Sequence, residues 1–263
     1  MVTIRKPTLE EWFQDYQLAF ISKSYTHFPG FLEIDITALV DWSKEKGIRL
    51  SPTALVVKAA GLLLKKRPRL NRVVFRTLFG TKIAYLDDIN VNLPVQVHHE
   101  GKPSLSGMVL KNVDIKPLQD LKDEIRSFAQ SDLSDKPIGL FVHRRKNNSY
   151  NRLVLKILHI LAYRTPKLYL KHGGGGISVT SMMHRDFPLL LARVAAYGNT
   201  IITFAVTGLK KNSSNQDILQ VGVGFNHSTV PGDEFQDALV QFTEILSTTP
   251  PAELFGEISE SES

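Results

Sequence analysis

Two consecutive apolar segments near the C-terminus constrain the fold of this chain more than any other feature. Thr200 to Gly208 and Ile218 to Phe225 are rich in β-branched and aromatic residues, and the polar loop KKNSSNQD separates them. Short apolar runs of this composition, bounded by polar turn residues, are typical of buried β-strands. The two segments therefore predict a pair of neighbouring strands joined across the loop.

The second of these strands stops abruptly at Asn226 and His227. The chain then turns through Pro231 and Gly232, and an amphipathic helix is predicted to begin at Asp233. Its apolar face carries Phe235, Leu239, Phe242 and Leu246. A strand end that presents one imidazole at a sharp turn can hold a general base rigidly. An ordinary polar residue at a strand end would give the same local pattern, so both interpretations stand at this point.

The rest of the chain alternates between helical and extended patterns. Predicted helices are Leu9 to Ser22, Thr37 to Lys46, one opening at Ser51-Pro52, one opening at Pro117, and one or two between Arg152 and His172. Predicted strands are Phe31 to Thr37, Lys82 to Val97 as one strand or two, Leu105 to Lys111, and Ile177 to Ser181. Gly173 to Gly176 is interpreted as a flexible joint. The alternation predicts an α/β layer with a mixed sheet.

Composition narrows the class of protein. Of 263 residues, 43% are apolar and 22% are charged, which is typical of an ordinary globular protein. One domain is expected over residues 1–249, and the acidic, serine-rich tail 250–263 is expected to be disordered. The absence of cysteine excludes disulfides, cysteine-ligated zinc and a cysteine nucleophile. With no secretion signal or membrane-length apolar run, a cytoplasmic location is expected. Without a His-Glu-x-x-His motif or cysteine ligands, no metal site is expected.

Positive charge is concentrated in one segment, residues 136–172. It contains Lys136, Arg144, Arg145, Lys146, Arg152, Lys156, Arg164, Lys167 and Lys171 and has no acidic residue, in a chain whose formal net charge is +6. Such a segment attracts acidic partners, which are nucleotide phosphates, an anionic membrane face or an acidic carrier protein. The features of a sequence-specific nucleic-acid module are missing, so no nucleic-acid partner is expected.

Several short strings occur in an order that is specific to one family. Asn226 to Gly232 is similar to the motif Asp-His-Arg-x-x-Asp-Gly, and Gly175 to Ser181 is similar to a Thr-Ile-Ser-Asn string that follows two glycines. Thr26 to Phe28 is similar to Pro-His-Phe, and Ile89 to Ile125 has a similar layout of strand, hairpin and helix. Over residues 26–246 the chain thus resembles the catalytic domain of the dihydrolipoamide acyltransferases of 2-oxoacid dehydrogenase complexes. That family shares its fold and chemistry with chloramphenicol acetyltransferase.

The resemblance implies a chloramphenicol acetyltransferase-like α/β fold, a mixed sheet flanked by helices, with residues 136–172 as a basic helical insertion. It implies acyl transfer from a coenzyme A or carrier thioester, without a bound cofactor, at a site between subunits of a homotrimer. It assigns His227 as the general base and Thr180 as the oxyanion donor. Supporting positions are Ser178, Ser181, Asn226 and Gly232, and His27 borders the substrate channel. With no cysteine and no Gly-x-Ser-x-Gly elbow, direct transfer is favoured over an acyl-enzyme.

The end motif departs from the family pattern at three positions. Asn226 and Ser228 replace its first Asp and its Arg, and Pro231 replaces its second Asp. In the family that second Asp pairs with an N-terminal arginine, which is also missing here, and losing both partners costs less than leaving one buried charge alone. The fixed φ of Pro231 and the conformational freedom of Gly232 are expected to hold the loop instead.

Three hypotheses follow. The first is a stand-alone acyltransferase, since the sequence contains no lipoyl domain or peripheral subunit-binding domain. The second is a non-catalytic homotrimer that serves as a scaffold or regulator. The third is a membrane-surface protein anchored through the basic segment. Under the first two hypotheses, the basic segment is a lid over the pocket, a docking face for an acidic carrier or membrane, or a peripheral cover of the core.

Overall fold

The computed structural model shows an α/β fold built on a six-stranded sheet. It describes residues 6–24, 27–77, 80–99, 102–131, 145–171, 174–183, 199–227 and 229–256. The strands are β1 (His27–Asp35), β2 (Arg72–Thr77), β3 (Gly80–Tyr85), β4 (Val91–His99), β5 (Lys102–Leu110), β6 (Ile177–Ser181), β7 (Ile202–Lys211) and β8 (Asp217–Asn226). Six of them form a sheet in the order β1-β8-β7-β6-β4-β5, while β2 and β3 form a separate hairpin.

The large sheet is mixed, as the sequence predicts. β6 runs parallel to both β4 and β7, whereas β1 with β8, β7 with β8, and β4 with β5 pair antiparallel. The predicted pair near the C-terminus is confirmed as β7 and β8, with Ile202 opposite Phe225. The predicted segment Lys82 to Val97 is two strands that belong to different sheets, β3 and β4.

The helices are α1 (Leu9–Ser24), α2 (Thr37–Glu45), α3 (Pro52–Lys66), α4 (Leu118–Gln130), α5 (Ser149–Arg164), α6 (Pro166–Lys171), α7 (Gly232–Thr248) and α8 (Pro251–Phe255), with a 3-10 turn at Pro68–Leu70. α3 begins as predicted, with Pro52 in its first position. The Ser51 hydroxyl accepts a hydrogen bond from the amide of Ala54 at 3.4 Å.

The core lies between the sheet and the helices α3, α4 and α7. Alternate residues of each strand point into it, among them Val223 and Phe225 of β8. The ring of Phe225 stacks on Phe235 of α7 at a centroid distance of 3.6 Å, and Phe204 of β7 stacks on Phe242 at 4.1 Å. The apolar face predicted for the last long helix is therefore the face that covers the sheet.

The C-terminal tail is ordered further than the sequence predicts. α8 buries Leu254 and Phe255, and the Phe255 ring lies 4.5 Å from the ring of Trp42 in α2. The prediction of disorder from residue 250 is wrong for residues 250–256, because this apolar pair joins the core while the composition of the whole tail is polar. Residues 257–263 lie outside the described part of the chain.

The helices predicted between Arg152 and His172 are confirmed as α5 and α6. α5 starts at a cap in which the Asn148 side chain accepts a hydrogen bond from the amide of Asn151 at 2.8 Å. It packs on α1, where the Arg152 guanidinium lies 5.1 Å from the ring centre of Trp12. Residues 136–144 and 172 of the basic segment lie outside the described part. Among the described helices, none is long and apolar enough to cross a bilayer.

Acid is expected to loosen the contact between α1 and α5 through His159. This side chain is buried on α5, and its ring meets Tyr16 at 5.3 Å and Phe13 at 5.9 Å between centroids. Burial lowers the pKa of His159 from 6.5 to about 4. The unfolded chain therefore binds a proton at His159 below pH 6.5, whereas the folded chain binds it only below about pH 4. As the pH falls from 6.5 to 4, the free energy of unfolding decreases by up to about 3 kcal/mol.

Urea unfolding at a series of pH values measures this loss. His159→Phe, which keeps an aromatic ring and removes the titrating group, is expected to flatten the slope of stability against pH between 6.5 and 4. His98→Gln changes an exposed histidine of β4 and serves as the control that keeps the slope. An unchanged slope in His159→Phe would contradict the prediction.

Candidate functional site

His227 lies in the turn after β8, and its side chain is exposed to solvent. The imidazole packs edge-on against the ring of Phe28, with 4.9 Å between ring centroids, and lies 5.6 Å from the ring of Phe225. Aromatic contacts on one side orient the ring while it remains accessible from solvent. A group that exchanges protons with a substrate needs both properties.

The backbone on both sides of His227 is fixed by Asn226. This residue is fully buried at the end of β8, and its amide donates a hydrogen bond to the carbonyl of Ile201 at 2.9 Å. Its carbonyl accepts hydrogen bonds from the amides of Thr229 and Val230, both at 3.0 Å, and from the Thr229 hydroxyl at 3.1 Å. The Val230 side chain is also fully buried. The turn that carries the imidazole is therefore closed by backbone hydrogen bonds and anchored in the core.

Arg72, the first residue of β2, holds the same turn from outside. Its Nη2 donates to the carbonyl of Thr229 at 2.7 Å and to the carboxylate of Glu234 at 2.9 Å. Its Nη1 donates to Glu234 at 3.2 Å and to the carbonyl of Arg69 at 3.0 Å. The guanidinium thus joins the turn to the first turn of α7. Arg72 is not among the residues predicted from the sequence, because its partners stand 157 and 162 residues further along the chain.

The start of α7 corrects one expectation about this turn. The helix begins at Gly232, one residue before the predicted Asp233, and Pro231 precedes it with φ −57°. Positive φ angles among the described glycines occur at Gly47, Gly80 and Gly256. The expectation that Gly232 contributes its conformational freedom is therefore wrong, and the fixed φ of Pro231 sets the backbone at this point.

The hydroxyl groups predicted on β6 lie in three different environments. Ser178 is fully buried, and its hydroxyl donates a hydrogen bond to the Thr200 hydroxyl at 3.1 Å. Thr180 shares a face of the strand with Ser178 and is partly exposed, whereas Ser181 is exposed at the strand end and points to the other face. Thr180 is thus the hydroxyl on this face that is accessible while held in a regular strand.

The face of the sheet that carries Ser178 and Thr180 differs from the apolar face under the helices. Register places Asn92 beside Ser178, Ser178 beside Thr203, and Thr203 beside Gly224, so small and polar residues cross four neighbouring strands. Paired residues of neighbouring strands point to the same side of a sheet. Asn92 and Thr203 were not predicted as part of a site. Their only signal is a polar residue at alternate positions of otherwise apolar strands.

The glycines before β6 are packed rather than loose. Gly175 donates its amide hydrogen to the Asn92 side chain at 3.0 Å and accepts from the same side chain at 3.2 Å. A Cβ on Gly175 would lie 1.9 Å from the carbonyl oxygen of Asn90, and one on Gly176 would lie 2.9 Å from the amide of Arg72. The interpretation of this stretch as a flexible joint is wrong for these two residues, because they are glycine to allow close approach of neighbouring backbone.

His227 and Thr180 do not meet within one chain. Thr180 lies beside Ala205, and Ala205 lies beside Gly222, five residues before His227. Five residues of strand and two strand spacings separate the Cα atoms by roughly 15–20 Å. This distance is far beyond the combined reach of the two side chains. A site that uses both groups must take them from two copies of the chain.

The remaining predicted position is His27. Its backbone opens β1 opposite Asn226, so it lies beside the strand end that carries His227. The side chain of His27, like residue Ser228, is outside the described part of the structure. Within the described residues there is no group of three or more histidine, aspartate or glutamate side chains arranged to hold a metal ion.

Comparison of the whole fold with solved structures gives consistent neighbours. The dihydrolipoamide acetyltransferase of Azotobacter vinelandii and the cubic core of a pyruvate dehydrogenase multienzyme complex each match with a TM-score of 0.64 and 16% identity. Each match covers 94% of this chain and 92% of the other. The chain has the dihydrolipoamide acyltransferase fold.

A probable dihydrolipoamide acetyltransferase from Listeria monocytogenes has the same fold, with a TM-score of 0.61, 18% identity, and coverage of 95% of this chain and 97% of the other. No protein-family model matches the sequence, and no curated protein matches it. TM-scores of 0.61–0.64 establish the fold, but identities of 16–18% show nothing beyond it, so the residues described above must carry any argument about activity.

Proposed function

We propose that this chain is an acyltransferase that moves an acyl group from a coenzyme A or carrier thioester directly to an acceptor. The observation that carries the proposal is the placement of His227, which is exposed and oriented by Phe28 and Phe225 on a turn fixed by Asn226 and Arg72. Acyltransferases among the fold neighbours support the class of reaction. The proposal includes action in the cytoplasm and no resident cofactor.

In the proposed reaction, His227 accepts the proton of an acceptor hydroxyl or thiol as that group attacks the thioester carbonyl carbon. The carbonyl oxygen becomes an oxyanion, and the Thr180 hydroxyl donates a hydrogen bond to it where the charge develops. Collapse of the tetrahedral intermediate breaks the carbon–sulfur bond. The leaving thiolate takes the proton from His227, which returns the imidazole to its neutral state.

The proposed site lies between two copies of the chain. Thr180 and His227 are separated by roughly 15–20 Å within one copy, so each site takes the imidazole from one copy and the hydroxyl from its neighbour. A closed ring of three copies, which is the homotrimer that the family resemblance implies, would then contain three equal sites. Asn226 supports the imidazole by closing its turn.

A second candidate is a non-catalytic homotrimeric scaffold or regulator of the same fold. The structure of the Azotobacter vinelandii enzyme was determined to study the catalytic roles of a serine, a histidine and an asparagine, the last two being four positions apart. Four positions after His227 this chain has Pro231, whose side chain cannot donate a hydrogen bond. That difference is the observation that favours the second candidate.

A thiol-release assay separates the two candidates. Because the chain has no cysteine, a thiol-reactive dye reports the coenzyme A released from a panel of acyl-coenzyme A donors when the acceptor is a hydroxyl. For thiol acceptors, total free thiol does not change, and chromatography of the acylated acceptor measures the reaction. With an active donor and acceptor, His227→Ala is expected to lower kcat/KM by about 100-fold or more, the effect of removing a general base. Thr180→Ala is expected to lower kcat while leaving KM nearly unchanged, because its hydrogen bond forms mainly in the transition state. His98→Ala, in an exposed histidine of β4, is the matched control.

Mixing the two inactive variants tests the shared site. Co-assembly of His227→Ala with Thr180→Ala chains is expected to restore roughly one quarter of the wild-type activity, since random pairing leaves that share of sites intact. Failure to restore activity in a co-assembled trimer would contradict the shared site. A correctly assembled wild-type protein that transfers no acyl group from any donor to a hydroxyl or a thiol acceptor would favour the scaffold.

A further inference from the structure

α5 exposes a stripe of large apolar side chains on the side away from α1. Tyr150, Leu153, Ile157 and Leu161 are 72%, 55%, 48% and 46% exposed, and they recur at the spacing that places residues on one side of a helix. The opposite side of the helix carries Leu155 and His159, which are buried. The outer stripe is therefore additional to the contact that attaches α5 to the protein.

The segment that carries this stripe contains only positive charges. Residues 145–171 contain no acidic side chain and seven basic ones, which are Arg145, Lys146, Arg152, Lys156, Arg164, Lys167 and Lys171. Two of them lie against aromatic rings on the inner side, Arg152 over Trp12 and Lys156 over Tyr16. Lys146 and Lys167 are exposed beyond the two ends of α5.

We propose that α5 lies on an anionic lipid surface, with its apolar stripe at the boundary between headgroups and acyl chains. A helix with exposed bulky apolar residues flanked by Lys and Arg has the composition of helices that bind in the plane of a membrane interface. Exposed lysines at both helix ends would contact acidic headgroups, each contributing to the attraction. The proposal does not depend on acyl transfer.

Two other occupants fit the same surface less well. A two-fold contact between copies through this stripe would bring two segments without acidic residues together, and like charges oppose such a contact. A contact of the stripe with a different surface of a second copy is an outcome of the light-scattering test below. An acidic protein would satisfy the lysines, but it would also need a groove shaped for four bulky side chains. A fluid lipid interface accepts such a ridge without a preformed groove.

The test is co-sedimentation of the full chain with vesicles of phosphatidylcholine, alone or with about one third phosphatidylglycerol. Wild-type protein is expected to bind the anionic vesicles at least about tenfold more tightly than the neutral ones, and to lose most of that difference when salt is raised from about 0.05 to about 0.5 M. Ile157→Gln with Leu161→Gln, and separately Lys146→Glu with Lys167→Glu, are each expected to weaken binding at least about tenfold.

Matched controls come from other surfaces of the same chain. Leu105→Gln with Val240→Gln changes exposed apolar side chains of β5 and α7, and Lys66→Glu with Lys111→Glu makes the same change in net charge outside α5 and α6. Both are expected to bind like wild type. Equal binding of wild type and the α5 variants, or no preference for anionic vesicles, would overturn the proposal.

Light scattering and an acidic polymer identify the competing occupants. If Ile157→Gln with Leu161→Gln lowers the number of copies in the assembly, the stripe is a contact between copies and the lipid proposal is wrong. If polyglutamate binds through Lys146 and Lys167 while vesicles do not bind, the surface serves an acidic protein, and the lipid proposal is again wrong.

Discussion

Replacing Arg72 by methionine is expected to lower the free energy of unfolding by about 3 kcal/mol, although the methionine fills much of the same space. The guanidinium is buried and donates to the carbonyls of Thr229 and Arg69 and to both oxygens of Glu234. Removal leaves these acceptors without their donor in a poorly hydrated position. Urea unfolding followed by circular dichroism measures the loss.

Variants at the partner and at a second ion pair calibrate the effect. Glu234→Gln is expected to cost about 1 kcal/mol, because the Glu234 side chain is 23% exposed and an amide still accepts a hydrogen bond. Asp237→Asn breaks an ion pair with Arg67, in which the Arg67 side chain is 35% exposed and the Asp237 side chain 65% exposed. This change is expected to cost less than about 1 kcal/mol. If Arg72→Met costs no more than Asp237→Asn, the hydrogen bonds of Arg72 make no special contribution to the free energy of unfolding.

Arg72→Lys separates the charge from the geometry. A lysine keeps the positive charge, but its ammonium does not reproduce the planar fork that reaches Thr229 and Glu234 together. We expect an intermediate loss of stability. In the proposed acyltransferase, turnover should fall even in variants that are fully folded at the assay temperature, because the turn that positions His227 is held at Thr229. Activity that follows stability alone would leave Arg72 without a positioning role.

Elements whose stabilising contacts are close in sequence were predicted well. Three such elements are the cap at Ser51, the apolar face of α7, and the paired strands β7 and β8. Each depends on residues that are near one another along the chain. Hydrophobic periodicity and local turn chemistry suffice for such elements. The order and spacing of short motifs then gave the acyltransferase-like fold, which the solved structures confirm.

Features that depend on distant partners were missed. Lys58 is a charged residue of α3, yet its side chain is buried and its ammonium donates to the carbonyls of Asp114 and Lys116, 56 and 58 residues away. Arg72 similarly serves a turn far along the chain, and α8 packs on the core through Leu254 and Phe255, whose ring meets Trp42. Nothing in the local sequence distinguishes these residues from solvent-exposed ones.

The candidate site was predicted in part for the same reason. The position of His227 after β8 follows from the strand pattern, whereas the roles of Ser178 and Ser181 depend on which way each strand position points and on its neighbours. Register puts Ser178 in the interior beside Thr200 and turns Ser181 to the other face. The contribution of a second copy to the site remains a prediction, supported by the separation of His227 and Thr180 within one copy.

Gly175→Ala is expected to be the most damaging single-methyl change near β6, with a loss of about 3 kcal/mol or more in the free energy of unfolding. The new Cβ would lie 1.9 Å from the carbonyl oxygen of Asn90, which is backbone and cannot move aside as a side-chain end would. Gly175 itself cannot retreat without breaking both of its hydrogen bonds to Asn92. Relief of the clash therefore requires displacement of β6 from β4.

Gly232→Ala provides the matched control, since nothing lies within 4 Å of a Cβ at that position and its φ is not positive. Alanine at the first residue of α7 is expected to change stability by less than about 1 kcal/mol, in the stabilising direction. Thermal unfolding of the two variants beside wild type measures the difference. Similar unfolding temperatures of the two variants would mean that the glycines before β6 are not required for close packing of the backbone. A large loss confined to Gly175→Ala would instead mean that close backbone packing places Thr180 in its strand.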